Sequence, residues 1–496
     1  MDPLFAVCDS DLPDNMIEIT DLDNVYIKVE AQNSIKQELK DFFSFEVPNK
    51  QYMPKSRNSM WDGRINLYSG TTGKIYKGLL GHIRAFAKQR DYKVKYEEKT
   101  KTIIPKDSTE KYFRKIIRNK EYEPRDYQID SFHHCINETR ATIISPTASG
   151  KSLIIYALTE FYKQKPVLII VPTIALVHQM RDDFIDYGGN GDDIHCIKGG
   201  IDPRTDRPVV ISTWQSLVRL PQKYFDKFRC VVGDECHLYD SKSLTQILKR
   251  LKQCPHRFGF TGTLKDNSEG AHKLVIEGLF GRVKKFVDTK ELMDKGHIAK
   301  LSIHCMVLQY PKQDCINVSR MKYQDELDWI VTNPKRNRML TSLAMKCKGN
   351  TLMLFQFVEK HGEVLFDLIK EAAGDARQVF FVSGRVGAEI RERVRKLCEE
   401  FSDCIIVASV GVFSTGTSIR NLHNVVLCSP SKSRVRNLQS IGRSLRLAVG
   451  KMKANVFDVT DDLKYNGKPN YTLRHFFKRV SYYIEESFDY KIKIIK

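Results

Sequence analysis

The sequence predicts an α/β protein with two tandem parallel-sheet lobes behind a small α/β amino-terminal domain, and three observations carry that prediction. Short β-branched or aliphatic runs alternate with helix-length segments, the alternation comes in two separate series, and residues 1 to 105 precede both without a catalytic motif. The first series comprises Thr142-Ile143-Ile144, Val167 to Val171, Val209-Val210-Ile211 and Cys230-Val231-Val232. The second comprises Thr351 to Phe355, Val379 to Val382, Ile405 to Ala408 and Val425 to Leu427, with the helix-length segment Ala388 to Glu400 among its spacers. Such alternation reads as βαβ units around a parallel sheet. Charged, turn-rich stretches at Glu97 to Glu110 and Asp288 to Lys300 are the expected joints, and Tyr471 to Lys496 reads as an aromatic-rich, basic helical end. The expected division is therefore 1–105, 106–295, 296–465 and a carboxyl-terminal extension, 466–496.

Length and composition agree with several domains. At 496 residues, 42% apolar and 28% charged, the chain can bury more than one core and is not of disordered composition. Eighty Lys plus Arg against sixty Asp plus Glu leave a net charge of +20, which attracts a polyanion, nucleic acid above all. Charge alone does not separate that reading from a basic but merely solvated surface. The twelve cysteines are scattered with no C-x-x-C, the nearest pairs being Cys230/Cys236 and Cys398/Cys404. That spacing supports neither a zinc site nor a disulfide framework, and it implies a reducing compartment. The opening Met1-Asp2-Pro3, followed by Asp9, Asp11 and Asp14, lacks the basic and apolar stretches of a secretory signal, and no apolar run is long enough to span a bilayer. A cytoplasmic protein with no membrane partner is expected.

Chemistry enters at Ser145-Pro146-Thr147-Ala148-Ser149-Gly150-Lys151-Ser152, directly after an apolar run and before the helical stretch Leu153 to Ala157. Backbone N–H groups at a helix start cradle phosphates, a lysine supplies charge to the β/γ oxygens, and a serine hydroxyl ligates magnesium. Thr147, Ala148, Ser149, Gly150, Lys151 and Ser152 are the nucleotide-binding candidates. The usual pattern has glycine where this chain has Ser145. Asp234-Glu235-Cys236-His237 follows the run Cys230 to Gly233, so two carboxylates stand at the carboxyl end of a buried strand, where open α/β sheets bind ligands. Asp234, with Ser152, can hold Mg²⁺, and Glu235 can orient and deprotonate a water. A helix start with acidic first-turn residues is the bland alternative; it accounts for the Asp-Glu pair but not for its place after the phosphate loop.

With these residues in place the chain resembles a superfamily 2 helicase, whose second motif takes the form D-E-x-H, and the resemblance implies two RecA-like lobes using ATP. Tyr122-Glu123-Pro124-Arg125-Asp126-Tyr127-Gln128 resembles the Q motif, which assigns Arg125 and Gln128 to the nucleotide. Pro172 to Gln179 resembles motif Ia, and Ser212-Thr213-Trp214-Gln215-Ser216-Leu217 the strand-contacting motif after it. Thr261-Gly262-Thr263 resembles motif III, and with His237 it is the expected coupling element. Val410 to Ile419 resembles motif V and Gln439 to Arg446 motif VI, which assigns Gln439, Arg443 and Arg446 to catalysis. Arg443 and Arg446 lie three apart on one helical face, as arginine fingers acting on lobe closure require. The resemblance places strand contacts, to phosphates and not to bases, at Thr173, Thr213, Trp214, Ser383, Gly384, Thr415 and Gly416.

The amino-terminal segment interleaves basic and aromatic residues: Lys50, Tyr52, Lys55, Arg57, Trp61, Arg64, Tyr68, Lys74, Tyr76 and Lys77. They read equally as a nucleic-acid platform or as a small domain whose rings are core. Asp41 to Phe45, Trp61-Asp62-Gly63-Arg64-Ile65 and Gly78 to Ile83 resemble the leading domain of the UvsW recombination helicases of tailed phages. That likeness implies a monomeric DNA-dependent ATPase, in the host cytoplasm if phage-encoded, that unwinds branched DNA, drives branch migration and fork regression, and works beside single-strand-binding or recombination proteins. The residues themselves also fit an RNA helicase or a duplex translocase that separates no strands. A binding or annealing module with a vestigial ATPase fits least.

Overall fold

At the amino terminus, burial that alternates residue by residue marks strands with one wet face. In β1 (Met16–Asp21) and β2 (Tyr26–Glu30), Ile17, Ile19, Ile27 and Val29 are buried and their neighbours are not. Helix α1 (Asn33–Phe42) adds Ile35 and Leu39 to the same core, and β3 (Ser44–Glu46) pairs antiparallel with β4 (Arg64–Asn66). With β5 (Lys74–Tyr76), helix α2 (Leu80–Gln89) and β6 (Lys93–Lys95), a four-stranded sheet of order β5-β2-β1-β6 is complete. The computed structural model of the chain describes residues 13, 15–47, 62–98, 101–119, 121–264, 270–384, 386–413, 419, 421–430, 433, 441–442 and 453–496. It divides into two units, Met1–Ile144 with Lys151–Phe286, and Val287–Lys496 with the loop Ser145–Gly150.

The first unit continues through α3 (Lys106–Ile116), α4 (Asp126–Glu138), β7 (Arg140–Ile144), α5 (Lys151–Tyr162), β8 (Val167–Val171), α6 (Ile174–Asp186), β9 (Ile194–Ile197) and β10 (Val209–Thr213). Then come β11 (Cys230–Gly233), α7 (Lys242–Arg250), β12 (His256–Thr261), α8 (Gly270–Phe280) and β13 (Val283–Lys285). Strands β7 to β13 form one parallel seven-stranded sheet of order β13-β7-β12-β11-β8-β10-β9. Its central strands are buried on both faces, as their unbroken apolar runs require. Val167, Ile169 and Val171 face one core, while Leu168 and Ile170 face another that also holds Ile17, Ile27, Leu79 and Phe86 of the amino-terminal domain. That domain therefore shares its hydrophobic core with one face of the large sheet.

Glycine makes this union possible. A Cβ on Gly78 would stand 2.1 Å from the Glu277 carbonyl oxygen, and one on Gly278 would stand 2.8 Å from Tyr76 Cβ, so the backbones meet only because both side chains are absent. The His82 ring nitrogen Nε2 lies 2.6 Å from the buried Glu277 carboxylate, and Arg282 donates to the Gly81 carbonyl at 3.0 Å. Of the basic and aromatic residues in this domain, Tyr68 and Tyr76 are core, Arg64 bonds Ser44, and Lys77 pairs with Asp21. Lys50, Tyr52, Lys55, Arg57 and Trp61 lie outside the described residues.

In the second unit β14 (Lys300–Gln309) and α9 (Pro334–Lys346) precede β15 (Thr351–Phe355), α10 (Val364–Ala373), β16 (Val379–Val382), α11 (Ala388–Glu400), β17 (Ile405–Ser409), β18 (Asn424–Leu427) and β19 (Lys453–Asp462). Helix α12 (Tyr471–Glu485) and β20 (Tyr490–Ile495) end the chain. These strands form a second parallel sheet, of order β16-β17-β15-β18-β19-β14-β20. The end expected to be helical is helical only to Glu485. Its last stretch, where Lys491 and Lys493 alternate with Ile492 and Ile494, has the period of a strand and pairs with β14. No described helix is long and apolar enough to cross a membrane.

Buried charge holds the first unit together at one further point. Arg257 on β12 is fully buried and donates to Leu279, Leu251 and Leu248 carbonyls at 2.8, 3.1 and 2.8 Å. Those carbonyls close α7 and α8, whose last turns have no intrahelical donors and carry the negative ends of the helix dipoles. Arg257→Met is expected to lower the stability of the first unit by about 3–5 kcal/mol, because three carbonyls lose one charged donor. Urea denaturation of the full chain checks this; a loss below about 1 kcal/mol would contradict the role.

Candidate active site

Parallel strands deliver all their carboxyl ends to one edge of a sheet. On that edge of the first sheet the loop Ser145–Gly150 joins β7 to α5, with Ala148 at φ 67° and Gly150 at φ 80°. Left-handed residues between right-handed ones make the backbone concavity that lines N–H groups toward an anion, at a cost on the order of 1 kcal/mol for Ala148. The Ser145 hydroxyl lies 2.5 Å from that of Ser149, both side chains are buried, and the Ser149 amide closes a turn onto the Pro146 carbonyl at 3.1 Å. Ser145 has no positive φ, so its departure from glycine brings no backbone strain and adds a side-chain clasp to the loop.

Lys151 starts α5 and reaches Glu235, Nζ to Oε1 at 3.4 Å. Glu235 is held in the left-handed region at φ 49°, strain of the kind concentrated at functional positions. Asp234 is tied through its amide to the Ile170 carbonyl at the end of β8, at 3.0 Å. Its Oδ1 is buried with no hydrogen-bond partner among the described residues. Burial, with Glu235 beside it, pushes the Asp234 carboxyl up to about 6 against the pull of Lys151. Burial would raise Glu235 as well, but Lys151 and His237 outweigh it and hold that carboxyl well below the usual range. For Lys151 burial works to lower the ammonium, and the two carboxylates win and raise it. One carboxylate is thus firmly ionised and its neighbour is reluctant to ionise.

From Glu235 a network runs to the expected coupling residues. The Thr261 hydroxyl donates to the Thr263 carbonyl at 2.8 Å, which leaves its oxygen to accept from His237 Nδ1 at 2.9 Å. His237 Nδ1 also lies 3.3 Å from Glu235 Oε2, and the Thr261 hydroxyl 3.4 Å from the same oxygen. His237, Thr261 and Thr263 therefore meet around the Glu235 carboxylate. The register accounts for this, since β11 and β12 pair Gly233 with Gly259, and two residues further along stand Glu235 and Thr261.

Gln128 is buried, and its side-chain oxygen accepts from the Arg125 amide at 2.9 Å, capping α4; Arg125 Nη1 donates to the Tyr127 hydroxyl at 3.0 Å. Thr173 caps α6 after β8, its hydroxyl accepting from the Leu176 amide at 3.4 Å. Thr213 ends β10 with its hydroxyl 3.3 Å from Ser216, and Trp214 packs partly buried against the core. In the second unit Ser383, buried, and Gly384, exposed, follow β16. Thr415, Gly416, Gln439, Arg443 and Arg446 lie outside the described residues.

Two residues of the site carry no sequence signal. The Tyr187 hydroxyl stands 2.8 Å from that of Ser152, and His272 Nε2 lies 2.9 Å from the His237 carbonyl oxygen. Each is 35 residues from its partner, in no motif, so only the fold joins them. As for a metal, the Ser152 hydroxyl and the Asp234 carboxylate with its unpartnered buried oxygen are hard donors. They fit magnesium, which takes one or two protein oxygens beside phosphates and water.

A family model for the amino-terminal domain of the DNA helicase UvsW matches residues 16–97, and one for the res subunit of type III restriction enzymes matches 121–266. The chain is 35% identical over 496 residues to the ATP-dependent DNA helicase uvsW of Enterobacteria phage T4, covering 95% of this chain and 97% of the relative. The crystal structure of T4 UvsW matches at 32% identity with a TM-score of 0.51, over 97% of this chain and 99% of that one. Mss116p bound to ssRNA and AMP-PNP matches with a TM-score of 0.54 over 81% of each chain; at 15% identity this is a likeness of fold alone. The two parallel sheets are thus RecA-like lobes.

The raised Asp234 carboxyl has a measurable consequence. Its ionisation opposes folding, so the stability it permits is full below the ordinary aspartate value of 3.8 and is lost as pH rises through about 6. Asp234→Asn, in EDTA and without nucleotide, is expected to stabilise the protein at pH 7.5 by on the order of 1–2 kcal/mol. The gain should vanish near pH 4, and thermal melts at both values check it; a gain independent of pH would contradict the assignment.

Proposed function

Because this chain belongs to the UvsW family of DNA helicases, we propose that it is an ATP-driven DNA motor. Its substrate on this reading is branched DNA, which it unwinds, branch-migrates and regresses in recombination, repair and replication. The observation that carries the reading is the hydrogen-bonded path from Lys151 through Glu235 to His237, Thr261 and Thr263. A nucleotide site connected in this way has a route from phosphate to the rest of the lobe.

The chemistry follows from the charges. Lys151, kept fully protonated, is drawn to the β/γ-phosphate oxygens of ATP and away from Glu235. Glu235 then loses the cation that holds its carboxyl low and becomes a better base at the moment substrate arrives. Still held by His237, it orients the attacking water and takes its proton as the γ-phosphoryl leaves. Magnesium bound with the nucleotide would neutralise phosphate charge, with Ser152 and Asp234 as its protein ligands. Gln128 and Arg125 are assigned to the adenine side, and Gln439, Arg443 and Arg446 to γ-phosphate charge from the second lobe. Thr173, Thr213, Trp214, Ser383, Gly384, Thr415 and Gly416 are the assigned contacts along the DNA backbone, and the net charge of +20 favours that polyanion.

Steady-state ATP hydrolysis, with no nucleic acid, single-stranded DNA, a synthetic fork and matched RNA at one salt concentration, tests this. The fork is expected to stimulate most, and Lys151→Ala and Glu235→Gln to lower the stimulated rate by at least about 100-fold. Stimulation by RNA alone would overturn the substrate, and an undiminished rate in Lys151→Ala would overturn the motor.

A further inference from the structure

Helix α6 is followed by its carboxyl-terminal cap, Tyr187, a residue locked from several sides. Its amide donates to the Asp183 carbonyl and its carbonyl accepts from the Arg118 amide, both at 3.0 Å. The ring meets Tyr122 edge-on at 4.8 Å and Tyr156 at 5.6 Å. Two glycines follow. Gly188 turns the chain at φ 97°, where a Cβ would stand 2.5 Å from Arg118 Cβ, and a Cβ on Gly189 would stand 2.7 Å from the Phe184 carbonyl oxygen. The ring is therefore fixed and almost wholly buried, at 7% exposure. Its hydroxyl lies 2.8 Å from that of Ser152.

A serine hydroxyl has one proton and two lone pairs. To offer a lone pair to a cation it must send its proton elsewhere, and an acceptor fixed on another side decides which way it points. We infer that Tyr187 is a positioning residue for Ser152, its hydroxyl oxygen accepting a hydrogen bond from the serine O–H so that a serine lone pair is presented to the divalent cation that accompanies the nucleotide. The inference rests on the reading that Ser152 holds magnesium, and it adds a residue outside every motif in the chain.

The test is binding of a fluorescent ADP analogue to the full chain, titrated with magnesium chloride, for the wild type, Tyr187→Phe, Ser152→Ala and the double variant. Phenylalanine keeps the ring against Tyr122 and removes only the hydroxyl. Tyr187→Phe is expected to bind the analogue in EDTA within about 2-fold of wild type, and to need roughly 3- to 10-fold more magnesium for half-saturation, the size of one net hydrogen bond. Ser152→Ala should shift the midpoint at least as far, and the double variant no further than Ser152→Ala. Tyr156→Phe, which removes a neighbouring hydroxyl bonded to the Ile116 carbonyl, should keep the wild-type midpoint and so exclude a general effect of loosening the aromatic cluster. A wild-type midpoint in Tyr187→Phe beside a shifted one in Ser152→Ala would overturn the inference and leave the metal reading standing. An unshifted midpoint in Ser152→Ala would overturn both.

Discussion

Parallel pairing is the constraint on which the rest of this structure depends. A parallel strand returns to its neighbour only through a crossover, so every carboxyl end in a sheet arrives at the same edge. In the first sheet the order β7-β12-β11-β8-β10 sets the phosphate loop, Thr261, Asp234-Glu235, Thr173 and Thr213 side by side, though they span residues 145 to 261 in the chain. Register completes the alignment. Ile144, the last residue before the phosphate loop, pairs with Thr261, and Glu235 stands level with Thr261 from the other side.

Buried charge is used in two distinct ways. Arg257 meets three carbonyls, and Arg479 grips both oxygens of Asp458 with Tyr483 donating to the same carboxylate. Each of these tethers distant elements, and Arg479 does so in a two-oxygen geometry that is among the strongest available to a guanidinium. At the nucleotide site the pattern differs: Lys151 and Glu235 are a long 3.4 Å apart, Glu235 sits in a strained backbone, and Asp234 has an unpartnered oxygen with its carboxyl pushed up to about 6. These incompletely matched groups, clustered at the edge of the sheet, are available to a substrate.

Much of this was legible in sequence because it is local. The runs Val167 to Val171, Thr351 to Phe355 and Val379 to Val382 are strands with those bounds, and Ala388 to Glu400 is a helix with those bounds. Asp234, Glu235 and Lys151 stood out in the sequence because the chemistry assigned to them demands fixed neighbours in the chain, and the structure brings Lys151 to Glu235. What escaped was long-range. Strand β20 has its partner in β14, nearly 190 residues away, and its charged Lys-Ile alternation gives little sign of burial. Gly78 lies against the backbone of Glu277 and Gly278 while Gly278 lies against the Tyr76 side chain, the clasp of Ser145 on Ser149 replaces an expected glycine, and Tyr187 reaches Ser152 only after two helices have packed. Tyr68 and Tyr76, which read equally as a platform or as core, are core because both pack into the cluster that covers one face of the amino-terminal sheet.

On the proposed function, phosphate chemistry at the edge of the first sheet powers the remodelling of branched DNA. The most direct test follows a labelled four-way junction with homologous arms, incubated with the protein and either ATP or a non-hydrolysable analogue. Conversion of the junction to duplex products is expected with ATP and none with the analogue, at equal occupancy of the junction by protein. Conversion at the same rate with the analogue would show that binding alone does the work, and would contradict the account.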